Sequence, residues 1–418
     1  MGCLLKINDV ITSKSVLFLP QVINTLNKML DKIKNRAKEY LQEFIKVRHY
    51  LHAHPELSYE EFNTSKFIQE KLREFGIPYE VKAVTGVVGI IEGKNPEKRV
   101  VALRADMDAL PILEENDVPY KSTIDGVMHA CGHDVHTTCL LGAAKILSET
   151  KQDWEGTVKL IFQPGEEKNP GGASLMIKDG VLQNPAPEKI LALHVHPGME
   201  VGKFSFRGGM VMASADEIYI TVKGKGGHAA APHLAIDPIL ITSHLIISLQ
   251  QIISRNNNPF NPSVLSITTI NAGNATNVIP SEVKLMGTFR AMNEEWRFKA
   301  HELIIAQTNA LVQSMGGEAD VKIDVGYPFV FNDVELSEQA KDLAIMFAGL
   351  EHVSETELRM GAEDFAYYTH VIPGCFFRLG AGNQSKGIVY NVHHPKFNID
   401  ENAIEQGMGM MAWLAISI

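Results

Sequence analysis

The stretch "RVVALRADMD" (residues 99–108) decides the fold class. Its nearly continuous apolar run ends at a pair of aspartates, Asp106 and Asp108, which is typical of a strand that is buried on both faces. Three similar runs lie at residues 87–93, 157–163 and 189–195. Because helical patterns such as residues 136–149 and 171–180 separate these runs, the sequence predicts an α/β layer with a largely parallel central sheet.

Residues 213–325 follow a different pattern. Strands are predicted at 217–224, 263–273, 282–292 and 319–327, and helices at 237–254 and 293–316. The order β-α-β-β-α-β is that of a ferredoxin-like α+β unit. The α/β pattern then resumes with a helix at 335–350, a strand at 375–382 and a last helix at 398–418. We therefore predict a larger domain in two parts (27–212 and 326–418), interrupted by a smaller one (213–325), and an N-terminal extension (1–26).

Composition excludes several classes of protein. The 418 residues carry a net charge of −10 from 49 acidic and 39 basic residues, whereas nucleic-acid binding requires a basic surface. No apolar run reaches the about 20 residues that a membrane span needs. The four cysteines, Cys3, Cys131, Cys139 and Cys375, are too few for a disulfide framework in so long a chain. We predict a cytoplasmic protein that binds neither nucleic acids nor membranes.

Polar side chains follow several of the predicted strands. Open α/β sheets bind ligands beyond the carboxyl ends of their strands, so these side chains should meet at one rim. They belong to Asp106 and Asp108, to Glu166 and Glu167 in "PGEE", to His194 and His196, to "MHACGHDVH" (128–136) and to "NVHHPKFN" (391–398). This convergence predicts a functional site.

The residue types at this rim indicate a metal. Zinc accepts thiolate, imidazole and carboxylate ligands together, and Cys131 and His133 are close enough in sequence to reach the same ion or adjacent ions. The Pro-Gly turn before Glu166 and Glu167 frees the backbone, so one glutamate can bind a metal while the other handles a proton. Metal-assisted hydrolysis requires that combination.

Simpler interpretations apply to some of these residues. Glu166 and Glu167 are on this view solvated loop charges, and His129, His136 and His196 only border the site. Cys139 and Cys375 are predicted in the core, and Cys3 in the extension. A closed structural zinc site is disfavoured, because the cluster contains only one cysteine.

Nine ordered blocks resemble one family, the co-catalytic metallopeptidases that include aminoacylases, hippurate hydrolases, plant auxin-conjugate hydrolases and several carboxypeptidases. The blocks run from about residue 40 to the C-terminus. They are "HPELSYEEFNTSKFI", "ALRADMDALP", "HACGHDVH", "FQPGEE", "GGHAAAPH", "NVIP", "GTFR", "GAEDFAYY" and "HHPKF". The resemblance implies a zinc-exopeptidase-like catalytic domain and a lid that also mediates dimerisation.

The resemblance also implies a site with two divalent metal ions, zinc being the first expectation and manganese or cobalt the alternatives. The implied ligands are Cys131, His133, Glu167, His194 and His393. The general base would be Glu166, and Asp108 would orient a ligand. His393 is chosen over His394 because it takes the ligand position of the His-x-Pro block.

Three lid residues are implied to act on substrate. His228 in relatives reaches the site of a neighbouring subunit and stabilises the oxyanion, while Asn277 and Arg290 hold carbonyl or carboxylate groups. For Arg290, a surface ion pair is the alternative. A homodimer or homotetramer is expected. Cys131 takes the place of the aspartate that commonly bridges the metals in peptidase branches, which favours the amidohydrolase branch.

The leading hypothesis is therefore a metal-dependent hydrolase of amide bonds next to a free carboxylate. Its substrates would be N-acyl-L-amino acids or the C-terminal residues of short or N-blocked peptides, cleaved by metal-activated water. A second hypothesis makes Cys131 a covalent nucleophile with His133 or His136 as its base. A third is a metal-dependent binding protein without turnover.

Overall fold

A computed structural model describes residues 15–418, and their side chains from residue 26. Helix α1 (Ser15–Ala53) begins within the predicted extension, upstream of residue 27, the predicted start of the larger domain. The rest of the predicted extension, residues 1–14 with Cys3, lies outside the described residues. Across the described part of the chain, no helix has both the length and the apolar character that a membrane crossing requires.

The other helices are α2 (Phe62–Glu74), α3 (His133–Glu149), α4 (Gly172–Lys178), α5 (Pro238–Gln251), α6 (Glu294–Ser314), α7 (Val334–Ala348), α8 (Ala366–Thr369) and α9 (Asn402–Ser417). The strands are β1 (Tyr79–Lys82), β2 (Gly86–Glu92), β3 (Val100–Asp106), β4 (Thr157–Gln163), β5 (Lys189–Glu200), β6 (Phe204–Phe206), β7 (Gly209–Met212), β8 (Asp216–Lys223), β9 (Gly227–His228), β10 (Ser263–Asn271), β11 (Val278–Ile279), β12 (Glu282–Ala291), β13 (Glu318–Val325), β14 (Val330–Asn332), β15 (Val353–Glu355) and β16 (Gly374–Gly382).

The larger sheet has the order β1-β2-β4-β3-β5-β16-β6-β15. Its centre, β4-β3-β5-β16, is parallel, which confirms the predicted α/β fold with a largely parallel central sheet. Strand β2, predicted in the same layer, instead pairs antiparallel with β4. An apolar run reports burial on both faces but carries no information about strand direction.

Both faces of this sheet are covered. Val101 and Leu103 of β3 face the core that α1, α3 and α9 close, and Ala102 faces a second core with α4 and α8. Helix α9 is buried over most of its length, as its almost uniformly apolar sequence requires. Because helices pack on both faces of the sheet, the ends of the central strands have fixed positions relative to one another.

The smaller sheet has the order β10-β12-β8-β13 with all pairs antiparallel, and α5 and α6 pack on it. This is the strand order of the predicted ferredoxin-like unit. Alternation along β8 buries Ile218, Ile220 and Val222, as the period of a strand with one solvated face demands.

Asp216 lies where the chain enters this smaller sheet. Its buried carboxylate accepts hydrogen bonds from Arg297 Nε at 2.9 Å, His301 Nε2 at 2.8 Å and the backbone N–H of Gly326 at 3.2 Å. One carboxylate at the start of β8 thus contacts both α6 and the residue that follows β13. Burial raises the pKa of Asp216, but the bonds to His301 and Arg297 together have the larger effect and hold this pKa below its usual value.

We expect Asp216→Ala to lower the free energy of unfolding by about 3 kcal/mol, because Arg297 loses a buried anion and keeps only Glu294 and the Gly326 carbonyl as described partners. Urea denaturation followed by circular dichroism measures the change. The matched control is Glu302→Ala, which removes an exposed pair with Lys299 and should cost about 0.5 kcal/mol or less. Equal losses in the two variants would contradict the structural role of Asp216.

Candidate metal centre

A cavity of about 1170 Å³ opens between the central sheet and the smaller sheet. Its walls come from the segments that follow β4, from β5 and β16, and from β8, β12 and β13. The site therefore lies at the carboxyl ends of the central strands, as the sequence predicts for an open α/β sheet.

Cys131 and His133 enter the site at the start of α3. The helix begins at His133, not at His136 as predicted, because Gly132 adopts a left-handed conformation with φ of +87°. A side chain at Gly132 would come within 2.5 Å of Val195 Cγ2, so the close approach also requires glycine. This turn directs Cys131 and His133 towards a shared set of partners.

Glu166 and Glu167 follow a turn at Gly165, whose φ is +56°. The turn is fixed by the buried carboxylate of Glu61, which accepts a hydrogen bond of 2.8 Å from the Gly165 N–H. Both glutamates then lie near His133, with one carboxylate oxygen of each 4.0 Å from His133 Nε2. The solvated-charge interpretation is wrong for Glu166, which is buried.

His194 and His393 complete the cluster. His194 Nδ1 donates to the Val195 carbonyl at 2.7 Å, so Nε2 keeps its lone pair and lies 3.5 Å from Cys131 Sγ. His393 is held with φ of +65° by a bond of 2.8 Å from its N–H to the Ala130 carbonyl. Its Nε2 lies 3.2 Å from an oxygen of Glu167. Strained backbone of this kind is common at functional sites.

The five predicted ligands therefore meet in two overlapping groups. Cys131, His133 and His194 form one group, and Cys131, Glu167 and His393 form the other. Within each group, the candidate ligand atoms lie within 4.8 Å of one another. Cys131 belongs to both groups, which is the arrangement that a ligand shared by two cations would need.

The residues present fit a cation. Among the described residues, the buried His133 Nε2 has no hydrogen-bond partner, and the buried Glu167 Oε1 lies 3.2 Å from His393 Nε2 without forming a hydrogen bond. Asp108 Oδ1 lies 3.1 Å from His133 Nδ1, which places the proton on Nδ1 and leaves Nε2 as an acceptor. Unsatisfied buried acceptors are costly, and a metal ion between them would remove that cost.

The electrostatic surroundings of Glu166 suit a proton carrier. Burial, and then the carboxylates of Glu363, Glu167 and Asp364, raise its pKa well above the usual value. By contrast, burial and the Arg378 guanidinium lower the pKa of His194 well below its usual value, so the ring is neutral, as a metal ligand must be.

The sequence alone does not indicate a role for Glu363 and Asp364, which lie in the block "GAEDFAYY". Both bind Arg104, at 3.0 and 2.8 Å, and they form a compact group with Glu166. The available signal was Arg104 itself, because a cation inside an apolar strand requires buried anions nearby.

The other polar residues behave as bordering groups. His136 is saturated, since Nδ1 bonds to Asp106 at 2.6 Å and Nε2 accepts from the Val195 N–H at 2.9 Å. His196 lines the cavity, and burial together with Arg359 lowers its pKa to about 4. His129 is buried with both ring nitrogens unpartnered. The cysteines Cys139 and Cys375 are fully buried, as predicted.

The three predicted lid residues are not all at the cavity. Arg290 lines it and forms no ion pair with a described carboxylate, so the structure does not support the ion-pair alternative. His228 and Asn277 lie outside the cavity and are exposed. They are neighbours, because Asn277 O accepts from the Ala229 N–H at 3.0 Å. The single chain does not bring this pair to the metal ligands.

An α/β fold with clustered metal-ligand side chains at the carboxyl ends of its strands is the arrangement of a metal-dependent hydrolase. Residues 102–417 match the model of Peptidase family M20/M25/M40. The chain belongs to this family and is a hydrolase of amide bonds, which confirms the predicted resemblance and the predicted class of enzyme.

Three similar proteins illustrate the family. Thermostable carboxypeptidase 2 of Saccharolobus solfataricus is 41% identical over 93% of this chain and 98% of its own. The N-acetyl-L-cysteine deacetylase of Bacillus subtilis is 41% identical over 87% of this chain and 85% of its own. A solved structure from Bacillus subtilis, described as a dinuclear metal binding peptidase from the M20 family, has a TM-score of 0.78 and 34% identity, covering 91% of this chain and 100% of that one.

We expect Asp108→Ala to weaken metal binding about 10- to 100-fold, because His133 loses the acceptor that fixes its ring. Competition against a chromophoric chelator measures the affinity. Asp117→Ala, at an exposed position, is the control and should bind metal as the unchanged protein does. Unaltered affinity in Asp108→Ala would show that His133 is not a ligand oriented in this way.

Proposed function

We propose that this chain hydrolyses N-acyl-L-amino acids, and the C-terminal bond of short or N-blocked peptides, at a pair of divalent cations. The cations would be held by Cys131, His133, Glu167, His194 and His393. The observation that carries the proposal is the meeting of these donors around two buried acceptors, His133 Nε2 and Glu167 Oε1, that form no hydrogen bond with a described residue. Relatives named as a carboxypeptidase and a deacetylase support the two substrate types.

The donor set favours zinc, because one thiol, three imidazoles and one carboxylate together suit a borderline-soft ion, with manganese or cobalt as alternatives. When bound, the cations supply Lewis acidity that acidifies water and polarises the scissile carbonyl. The protein supplies the fixed positions of the ligands, and Asp108 holds the His133 ring through the bond to Nδ1.

Glu166 carries the proton in this proposal. Its carboxylate accepts a proton from the attacking water and donates it to the leaving amide nitrogen. Two features support the assignment. Glu166 is buried beside the ligand cluster, and its backbone carbonyl accepts a bond of 2.6 Å from Tyr327, which fixes the residue. Bound cations would lower the raised pKa of Glu166 towards neutrality, the range that proton transfer needs.

The lid would recognise the substrate. We assign Arg290, which forms no ion pair with a described carboxylate, to the free carboxylate next to the scissile bond. His228 and Asn277 are exposed together on the β9–β11 ribbon, so they would serve the site of a second chain and contact the oxyanion or substrate carbonyl there. The unit 213–325 would thus act as both lid and dimerisation domain of the two-part catalytic domain, 27–212 and 326–418.

Two further features agree with this scheme. The lid helix α5 exposes Leu240 and Ile247, an apolar face that a homodimer or homotetramer would cover. The three described cysteines are free, which supports a reducing cytoplasm as the location.

We expect Glu166→Gln to retain metal and to reduce kcat by at least about 100-fold, because the amide cannot accept the proton. Metal analysis and release of amino acid from N-acetyl-L-methionine measure the two effects. Glu74→Gln, which alters an exposed glutamate paired with Lys71, is the control. Full turnover in Glu166→Gln would remove Glu166 from the mechanism.

We expect a chelator to abolish activity, which zinc should restore. A nucleophilic Cys131 would give the opposite pattern, namely loss of activity on alkylation and indifference to the chelator. The structure disfavours that pattern, since burial and the Glu167 carboxylate raise the pKa of the Cys131 thiol. A protein that binds metal and N-acyl amino acids but releases no product would instead support the binding-protein hypothesis.

A further inference from the structure

Arg378 is a buried cation that forms no ion pair with a described carboxylate. It lies on β16, in register with His194 of β5, and its residue is only 4% exposed. Its Nη2 donates to the Met212 sulfur at 2.9 Å, its guanidinium lies over the Phe376 ring, and its Nε has no hydrogen-bond partner. The side chain lines the cavity beside the metal-ligand cluster.

The other buried arginines among the described residues show how unusual this is. Arg48 is paired with Asp134 at 2.8 Å, Arg297 binds Asp216, and Arg104 binds three carboxylates. Arg378 is the fourth buried arginine, and no described carboxylate forms an ion pair with it. Burying an unpaired guanidinium is unfavourable because the charge loses its hydration, and the group does not lose its proton to avoid that cost.

A second arginine stands at the same wall. Arg359 is half-buried and is held by backbone bonds to β7, from its N–H to Val211 O and from the Ala213 N–H to its carbonyl, both 3.1 Å. Its Nη2 donates to His196 Nε2 at 2.8 Å, so its side-chain partner is a ring nitrogen and not a carboxylate. Arg359 also lines the cavity.

These guanidinium groups are separate from Arg290, which belongs to β12 of the lid. Arg378 and Arg359 belong to the part of the chain that forms the central sheet, so the cavity has arginines on two walls. Their planar forks match carboxylates, whereas the acidic groups near the ligand cluster would repel an anion placed there. A substrate carboxylate bound by Arg290 at the lid would still leave Arg378 and Arg359 without a carboxylate.

We propose that Arg378 and Arg359 form a second carboxylate site, so that the preferred substrates are N-acyl amino acids with a carboxylate besides the one next to the scissile bond. That carboxylate would belong to an acidic side chain or to a dicarboxylic acyl group. The proposal rests on the proposed function, in which Arg290 binds the first carboxylate.

Matched substrates test it. The pairs are N-acetyl-L-glutamate against N-acetyl-L-glutamine, and N-succinylglycine against N-butyrylglycine. We expect the unchanged enzyme to favour the acidic member of at least one pair by about tenfold or more in kcat/KM, and the pair affected shows which end of the substrate is bound. Arg378→Gln and Arg359→Gln should each reduce that preference at least about fivefold.

The control is Arg207→Gln, because Arg207 already pairs with Glu355 at 2.9 Å and should leave the preference unchanged. Circular dichroism checks the fold of each variant, and Arg359→Gln keeps the test open if Arg378→Gln does not fold. Equal kcat/KM within both pairs, or a preference that survives both substitutions, would overturn the second carboxylate site.

A binding measurement separates this proposal from the proposed function. Calorimetry on the metal-loaded full chain should give a Kd for glutarate at least about tenfold lower than for butyrate, and Arg378→Gln should remove the difference. If no substrate in either pair is hydrolysed, the proposed function fails, while the glutarate result still decides whether the second site exists. Equal Kd values for glutarate and butyrate in the unchanged protein would contradict the second carboxylate site.

Discussion

The geometry of the candidate metal centre depends on the contacts of the buried Asp108 carboxylate. It lies just after β3, faces His133 Nδ1 at the start of α3, and accepts bonds from Ser58 Oγ at 2.6 Å and from the Glu167 N–H at 3.0 Å. Burial raises the pKa of Asp108, but these bonds together have the larger effect and hold this pKa below its usual value. The group therefore stays anionic. One anion thus sets the mutual positions of three distant segments. Because its oxygens are engaged in these bonds, its expected role is to orient other groups.

The sequence could predict the elements that deliver the ligands, because each signal is local. An apolar run such as "TVKLIFQ" marks a buried strand, and polar residues at its end mark the rim. It could not predict the antiparallel pairing of β2, since strand direction depends on the chain path. Nor could it predict that α3 begins at His133, because the left-handed turn at Gly132 depends on close packing against Val195. Tertiary packing decides both features.

The acidic residues near Glu166 are a further feature that the sequence could not predict. Arg104 joins Asp106, Glu363 and Asp364, which come from parts of the chain more than two hundred residues apart. Local patterns show a charge inside a strand but not which anions meet it. The physical consequence is specific: Arg104 neutralises acids that would otherwise repel one another, yet enough negative charge remains near Glu166 to raise its pKa. Fold stability and the protonation of Glu166 are set by one network.

Buried charge in this protein falls into two kinds. Arg104 and Arg297 are closed by partners from the chain itself, so they stabilise particular junctions of the fold and have nothing left to offer a ligand. His133 Nε2 and Glu167 Oε1 in the candidate ligand cluster, and Arg378 Nε beside that cluster, form no hydrogen bond with a described residue. Folding leaves the desolvation cost of these groups in place, whereas a cation between the first two and an anion at Arg378 would remove it. In the proposed function, a substrate carboxylate at Arg378 would therefore lie beside the cations, and this arrangement would orient an anionic substrate against the candidate metal centre.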